Sequence, residues 1–489
     1  MSVAWDVIVA GSGNAGFSAA LSARERGARV LIVDKAPDPW LGGNSYFTAG
    51  AMRTTHGGTA DLLSFIDQPD ADKLARTDLR PYTDAHFRDD MRRLTNDRCD
   101  PELAGMLIEE SAAAIAWLHD KGQRFRLMYD RQSFEVDGRF QFWGGLALGT
   151  VGGGKGLIAR HREAAHREGI TVLARTPVTG ILRDGAGAVA GVRAGGRDLS
   201  AGAVVLAAGG FEADPRRRAQ YLGPNWDVAK VRGTPFNTGE VLMLALAEGA
   251  QACGHWSGCH AVSWDASAPA TGDLQATNLY SRDSYPIGLL VNRDGRRFVD
   301  EGADFRNYTY AKYGAEILRQ PGAVAYQLFD AQSAPLLRQE QYRSPRASRH
   351  EAPAIGDLAR AIGVDAPTLE STVARFNRAC SRDAFNPAVK DGKRAADLMP
   401  PKSNWALPLE KPPFLAYPVT CAVTFTFGGL RIDADARVTD SSGRPIPGLH
   451  AAGEMVGGLF YHNYPGGTGL TSGTVIGRRA GRSAAAFAS

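Results

Sequence analysis

Six residues near the start of this 489-residue chain constrain its fold more than any other segment. Gly11-Ser12-Gly13-Asn14-Ala15-Gly16 follows a short apolar run, Trp5–Ala10, and leads into an alanine-rich stretch from Phe17 to Arg26 that stops at Gly27. A second apolar run, Val30–Val33, ends at Asp34, 23 positions after Gly11. Apolar runs of this length suit buried parallel strands, so the spacing predicts strand, helix, strand. In the G-x-G-x-x-G pattern Gly11 permits a tight turn, Gly13 lets the backbone approach a pyrophosphate and Gly16 allows close helix–strand packing. The helix N-terminus at Asn14 and Ala15 favours negative charge. Asp34, with Lys35 beside it, stands where a carboxylate can accept a hydrogen bond from an adenosine ribose hydroxyl.

Composition excludes several other classes. The 57 glycines carry no Gly-X-Y period, and 44% hydrophobic residues with 26 prolines describe a chain that buries a sizeable core. The length points to two domains. A net charge of +4 with both signs mixed along the chain is too mild for a nucleic-acid binder and suits an anionic ligand. The five cysteines form no C-x-x-C, which reads as reduced thiols with no iron–sulfur cluster or structural zinc, and no metal site is expected. No run approaches the length of a membrane span, and the chain is expected to enter a strand at once with no signal peptide. A cytoplasmic protein without a transmembrane segment is the expectation.

Further glycine motifs sharpen the ligand. Leu41-Gly42-Gly43-Asn44-Ser45 places two glycines and polar side chains close to the same phosphates. This pattern resembles the flavoproteins of the fumarate reductase and succinate dehydrogenase superfamily, which implies FAD rather than NAD. Gly152-Gly153-Gly154-Lys155-Gly156 opens a helix running to about Glu168; it lacks the Gly-Lys-Ser/Thr ending of a P-loop and reads as a loop-to-helix start by the flavin. The strand Ala203–Ala208 ends in Gly209-Gly210-Phe211, resembling the element that returns the superfamily's chain to its cofactor. Ile446–Ala452 running into Gly453-Glu454 resembles the family segment that contacts the ribityl chain. Gly466-Gly467-Thr468-Gly469-Leu470 opens a last helix, to about Ala486, whose N-terminus would lay positive charge beside the ring. The resemblance implies an α/β fold: a Rossmann-type FAD-binding domain from residues 1–253 and 425–489, with an inserted α+β capping domain over 254–424. A further helical pattern covers Arg360–Arg378. FAD is expected to be non-covalent, since no histidine occupies the position used for covalent linkage and His56, the nearest, lacks that context.

The substrate side rests on fewer residues. Asn292–Glu301 resembles the superfamily's V-N-x-x-G-x-R-F-V-N-E run, after which the family places a proton-donating arginine. Arg306 best matches it, with Asp304 and Glu301 as relay partners; the alternative is an ion pair at the domain seam. His260 falls where the family has a substrate-binding histidine, or is structural. Arg282 and Tyr285 precede the strand Gly288–Asn292, where family members place substrate contacts. Two departures matter. Phe425 and Tyr464 stand where fumarate reductases carry a carboxylate-binding histidine and a carboxylate-clamping arginine, which argues against fumarate or succinate. Thr424–Phe427 with Gly258–Val262 resembles the tricarballylate dehydrogenase branch. Tyr464-Pro465-Gly466 resembles the ketosteroid dehydrogenase branch, where a tyrosine hydroxyl bonds a substrate ketone; otherwise Tyr464 is a packed aromatic. The resemblance thus implies an FAD-dependent dehydrogenase or reductase acting on a C–C bond α,β to a carboxylate or carbonyl, giving cis-aconitate from tricarballylate in the nearest branch. The alternatives are a desaturase of a cyclic ketone, and an electron-transfer flavoprotein subunit needing a partner. Electrons would pass to an external acceptor: a quinone, a redox protein or oxygen.

Overall fold

The computed structural model describes residues 5–489. Its first unit is β1 (Trp5–Ala10), α1 (Asn14–Arg24) and β2 (Val30–Val33), with β1 and β2 parallel and Val7 opposite Val30. Gly11 makes the turn at φ +108°, and a Cβ there would lie 2.2 Å from the Ala207 carbonyl oxygen. A Cβ on Gly16 would lie 2.0 Å from the Gly11 oxygen, so glycine lets α1 begin three residues earlier than the alanine pattern indicates. Next come α2 (Asp84–Leu94), α3 (Pro101–Asp120) and α4 (Gly153–Arg167). Asp100 caps α3 by accepting from the backbone N–H of Glu102 and Leu103, ahead of a proline in the first turn. The strands β3 (Thr171–Leu173), β4 (Val178–Arg183), β5 (Val189–Ala194) and β6 (Arg197–Leu206) follow.

The middle of the chain supplies β7 (Lys230–Val231), β8 (Ala252–Asp265), β9 (Leu289–Asn292), α5 (Tyr310–Leu318), β10 (Val324–Phe329), β11 (His350–Ala352), α6 (Ile355–Ile362), α7 (Ala366–Ala379) and β12 (Phe414–Leu430). The single helical pattern expected over 360–378 is two helices, because Gly363 turns left-handed at φ +71° and Asp365 caps a new start. The chain then returns through β13 (Arg437–Thr439), β14 (Pro445–Ala451) and α8 (Thr468–Ala488).

Two sheets result. The first runs β13-β14-β6-β1-β2-β3, with the β4–β5 ribbon joined to β6. Its centre is parallel: Val9 faces Val205, and Val205 faces His450 on β14. Helices α1 and α8 pack on it and against each other, so closely that a Cβ on Gly481 of α8 would lie 2.0 Å from the Ala19 oxygen of α1. The second sheet runs β7-β12-β10-β9, with β8 and β11 also pairing with β12. Its two long strands carry both expected domain borders inside them, since 253/254 lies in β8 and 424/425 in β12. The larger core takes Cys259, Ala261, Val423 and Leu430 from these strands, while Ala416, further along β12, packs in a smaller core with Leu358 and Phe376. Where β8 and β12 cross the seam the register slips between His260 and Ala261, leaving His260 opposite Phe425. Such an irregularity re-aims side chains, and both residues line one cavity.

Candidate functional site

A cavity of about 840 Å³ extends from the β1–α1 turn to the start of α5. At its first end it is walled by Gly11, Gly13, Asn14 and Ala15, by Asp34, and by Gly43 and Ser45. Ala208 and Gly209, Gly453 and Glu454, and Gly469 and Leu470 complete that end from three other segments. The wall is shaped for a ligand that comes close to the backbone. A Cβ on Gly13 would find no protein atom nearer than 3.7 Å, one on Gly43 none nearer than 4.0 Å, and one on Gly469 none nearer than 3.8 Å. Those side chains would fill the cavity instead. Helices α1 and α8 both begin here, and Asn14 ties them together by donating to the Leu470 oxygen (2.8 Å) and Thr474 Oγ1 (3.0 Å) while its own Oδ1 meets His161 Nε2 at 2.9 Å. Two helix N-termini facing one cavity suit a pyrophosphate and an electron-rich ring. Ser12 fixes Asp34 Oδ2 through its N–H at 2.9 Å and its hydroxyl at 2.6 Å, and Ala36 N–H holds Oδ1 at 2.8 Å. The residues present therefore fit a flavin dinucleotide.

The remaining cradle residues named by sequence take supporting positions. Gly16, Gly42, Gly153, Gly154 and Gly210 do not line the cavity: their missing Cβ atoms make room for protein neighbours. Gly154 would otherwise meet the Ser45 oxygen at 2.0 Å, and Gly210 would meet Glu454 Oε1 at 2.2 Å. Lys35 lies at the rim with Nζ on Thr238 and on Glu240 Oε2 at 2.7 Å. Asn44 is a clip at the cradle's edge, accepting from Thr234 N–H at 2.8 Å and donating to Glu212 Oε1 at 2.5 Å and the Thr424 oxygen at 2.6 Å. Burial raises Glu454, which accepts from Thr426 N–H at 2.7 Å. Burial and the facing Glu454 push Glu212 well above the usual carboxyl range.

At its other end the cavity becomes polar and aromatic. Arg306 opens a short 3₁₀ turn and Tyr310 begins α5 four residues later, so both side chains reach the same chamber. The Arg306 guanidinium lies 5.5 Å from the Trp143 ring centre and 5.3 Å from that of Tyr310. Its Nη2 donates to the Arg131 oxygen at 3.3 Å, and its buried Nε has no partner. Burial pulls its pKa below the ordinary arginine value, against the attraction of Asp283. Asp283 is itself buried; burial would raise it, but Arg306 foremost among four arginines holds it below the usual range. Arg338 Nη1 stands 3.9 Å from Asp283 Oδ2, and burial together with Arg306 brings Arg338 down to about 9. Arg131 is paired with Glu340. Arg232 also reaches the chamber, donating from Nε to Asn278 Oδ1 at 2.7 Å and from Nη1 to Thr424 Oγ1 at 3.3 Å.

The opposite wall is a set of rings. Phe425 packs against Phe427, Phe460 and Tyr464 with centroids 5.2–5.8 Å apart. His260 lies 4.7 Å from Tyr310 and 4.9 Å from Tyr464, with neither ring nitrogen bonded to protein. Burial, then Arg232, drives its pKa well below 6.5, so His260 is neutral. The Tyr310 and Tyr464 hydroxyls are hydrogen-bonded to each other. Burial, then Tyr310, raises Tyr464 well above 10.

Residues 6–470 match the sequence profile of the FAD binding domain family. The chain belongs to that family. A probable fumarate reductase, Ifc3, of Shewanella frigidimarina is 28% identical over 495 residues, covering 99% of this chain and 75% of the relative. The 4-oxocyclohexanecarboxylate 2-dehydrogenase of Sinomonas cyclohexanicum is 28% identical over 559 residues, covering 99% and 94%. An open conformation of a flavocytochrome c3 fumarate reductase superposes with a TM-score of 0.74 at 26% identity, covering 100% of this chain and 79% of that one. This FAD binding domain protein is thus an FAD-dependent oxidoreductase acting on CH–CH groups, within the fumarate reductase and succinate dehydrogenase flavoprotein superfamily.

Within this family member the structure corrects three expectations about the substrate side. Arg282 does not reach the cavity; it is fully buried in an ion pair with Asp265 Oδ2 at 2.6 Å, and its Nη1 donates to the backbone of Leu279 and Ser281. Asp283, one residue on, is the group that lines the chamber. Tyr285 likewise turns inward, its hydroxyl 2.7 Å from Thr309 Oγ1. The expected relay partners of Arg306 are also occupied elsewhere. Asp304 binds Arg93 at 2.6 Å, and Glu301 accepts from Arg297 Nε at 3.0 Å and Leu290 N–H at 2.9 Å. Removing one partner of a buried pair strands the other charge. Arg282→Met is therefore expected to lower the melting temperature by several degrees with flavin content and ligand affinity unchanged, as measured by calorimetry and by titration of the folded protein. Sequence reasoning missed Arg131, Arg232, Asp283 and Tyr310. Only Tyr310 had a local signal, four positions beyond Arg306 at a helix start.

Proposed function

We propose that this flavoprotein interconverts a C–C single and double bond adjacent to a carboxylate or carbonyl, on a small polycarboxylate of the tricarballylate class. The observation that carries this reading is the charge count in the chamber. Four arginines, Arg131, Arg232, Arg306 and Arg338, gather here against two acids, Glu340 and Asp283, which leaves two positive charges in excess, and neither Arg232 nor Arg306 has a carboxylate within ion-pair distance among the described residues. Two uncompensated buried cations are unfavourable unless a ligand brings the missing anions. Bound FAD supplies a hydride acceptor or donor, and the protein supplies the rest. In this reading Arg306 moves the proton at the carbon next to the hydride position, and Asp283 with Arg338 reloads it. Residues 254–424 act as the cap that closes over the substrate. FAD is held without a covalent bond: His56 does not line the cavity, and acid-precipitated protein retaining flavin in the pellet would contradict this. Electrons leave to an external quinone, redox protein or oxygen.

A second reading is favoured by the Tyr310–Tyr464 hydroxyl pair beside an aromatic wall, an arrangement that can polarise a ring ketone. The relative named 4-oxocyclohexanecarboxylate 2-dehydrogenase has a substrate name combining a ring ketone with a carboxylate. Anaerobic mixing with a panel separates the two readings. Flavin bleaching by tricarballylate or related di- and tricarboxylates, with no bleaching by cyclic ketones, supports the first. Bleaching by ring ketones alone moves the assignment to the second. Silence with every small molecule, alongside reduction by a partner protein, would remove both and leave an electron-transfer subunit.

A further inference from the structure

We propose that Arg232, braced by Asn278 and Thr424, is the subsite for a substrate carboxylate that takes no part in the chemistry. This inference rests on the polycarboxylate reading and gives one of the two uncompensated charges a separate task. Position is the first argument. Val231 on β7 pairs with Val423 on β12, and the Arg232 N–H donates to the Val423 oxygen at 2.8 Å. The guanidinium therefore projects from a rigid sheet, beside the segment Thr424–Phe425 where the expected carboxylate-binding cation is missing. Geometry is the second. Asn278 Oδ1 holds Nε at 2.7 Å and Thr424 Oγ1 holds Nη1 at 3.3 Å, and Ser281 Oγ in turn fixes Asn278 Oδ1 at 2.9 Å. The fork is held at one edge, and Nη2 has no protein acceptor among the described residues.

The surroundings make this the anchoring cation. Arg232 is 7% exposed, and no acid lies within ion-pair distance of it. Its charge depresses His260 and is felt by Tyr310 and Tyr464, so it sits among the residues that face the reacting part of the chamber. His260 is neutral and offers a hydrogen bond but no charge. Arg306, the other arginine without an ion-pair partner, lies between ring faces, makes one hydrogen bond, from Nη2 to the Arg131 oxygen at 3.3 Å, and keeps Nε unpartnered, a setting suited to proton transfer. A preorganised guanidinium with a free edge is the group that recognises a carboxylate through paired, charge-assisted hydrogen bonds. In this reading the carboxylate clamp stands at the end of β7, and not at Phe425 or Tyr464, which carry no charge to offer.

The test uses the flavin-loaded protein and its visible spectrum as the binding signal. Malonate, an unreactive dicarboxylate, and cyclohex-2-enone, an uncharged ketone, are titrated under anaerobic conditions. Arg232→Gln is expected to weaken malonate about 30-fold, with cyclohexenone affinity unchanged and the KM for a polycarboxylate raised far more than kcat is lowered. Arg232→Lys, which keeps charge but loses the fork, is expected to fall between the two. Thr424→Val, which releases one brace without touching the charge, is expected to weaken malonate by a few-fold and serves if the glutamine variant does not fold. Malonate binding within 3-fold of the unaltered protein in Arg232→Gln would overturn the subsite while leaving the polycarboxylate reading intact. Malonate failing to perturb the unaltered protein, with cyclohexenone perturbing it, would overturn both.

Discussion

Replacing Arg306 by glutamine is expected to cut turnover about 1000-fold without loss of flavin. Glutamine keeps hydrogen-bond donors and approximate length but cannot carry or release a proton in this range. Arg306 is the position where those properties matter. It is buried, its pKa is drawn down by burial, and its Nε points at no protein acceptor. Its only protein hydrogen bond among the described residues, to the Arg131 oxygen, does not touch the dinucleotide cradle. Flavin stoichiometry and melting temperature should therefore stay near those of the unaltered protein, and the loss should appear in kcat. Asp283→Asn should imitate part of this effect, because Asp283 is the acid whose field acts on Arg306. Stopped-flow reduction of the flavin with the best substrate of the panel measures both. A rate within 3-fold of the unaltered protein in Arg306→Gln would take Arg306 out of the proton step.

The cradle was legible because backbone geometry demands particular residues there. Gly11 must turn at positive φ and Gly13 must stay open to the cavity, and both needs write glycine into fixed positions. The same reasoning over-reached with the other glycines. Gly42, Gly154 and Gly210 are glycine because protein atoms crowd them, a steric demand indistinguishable in sequence from a ligand's. The substrate chamber was less legible for a different reason. Arg131, Arg232, Asp283, Arg306 and Arg338 come from five separate segments and converge only in the fold. Neighbours in sequence misled for the same cause: Asp304 and Glu301 lie within five residues of Arg306, yet Arg93 and Arg297 hold them. His260 could be placed from its motif, but its neutrality could not, since that follows from burial beside Arg232. Arg282 and Asp283 show the finest failure, because adjacent residues point to opposite sides and only one meets the cavity.

Tyr464→Phe is expected to separate the two substrate readings by its size. Phenylalanine keeps the ring packed against Phe425, Phe460 and His260 and removes only the hydroxyl bonded to Tyr310. If a carbonyl oxygen rests on that hydroxyl, losing one preorganised donor should lower kcat on a ring ketone about 100-fold. A polycarboxylate held by Arg232 and deprotonated through Arg306 should lose less than about 3-fold, since no donor in its path is removed. The pH dependence carries a second distinction. Burial raises Tyr464 well above 10, so its neutral, donating form is present below that raised value and is lost only as the pH climbs through it. A donor role therefore predicts that the ratio of unaltered to Tyr464→Phe rates stays flat between about pH 6 and pH 9. A base role predicts that the ratio climbs by about tenfold per pH unit over the same span, because the ionised phenol becomes more abundant at each step. A flat ratio near 100 on ketones places Tyr464 as a donor, and a steep one makes it the base. A ratio near unity on every substrate would leave it as part of the aromatic wall.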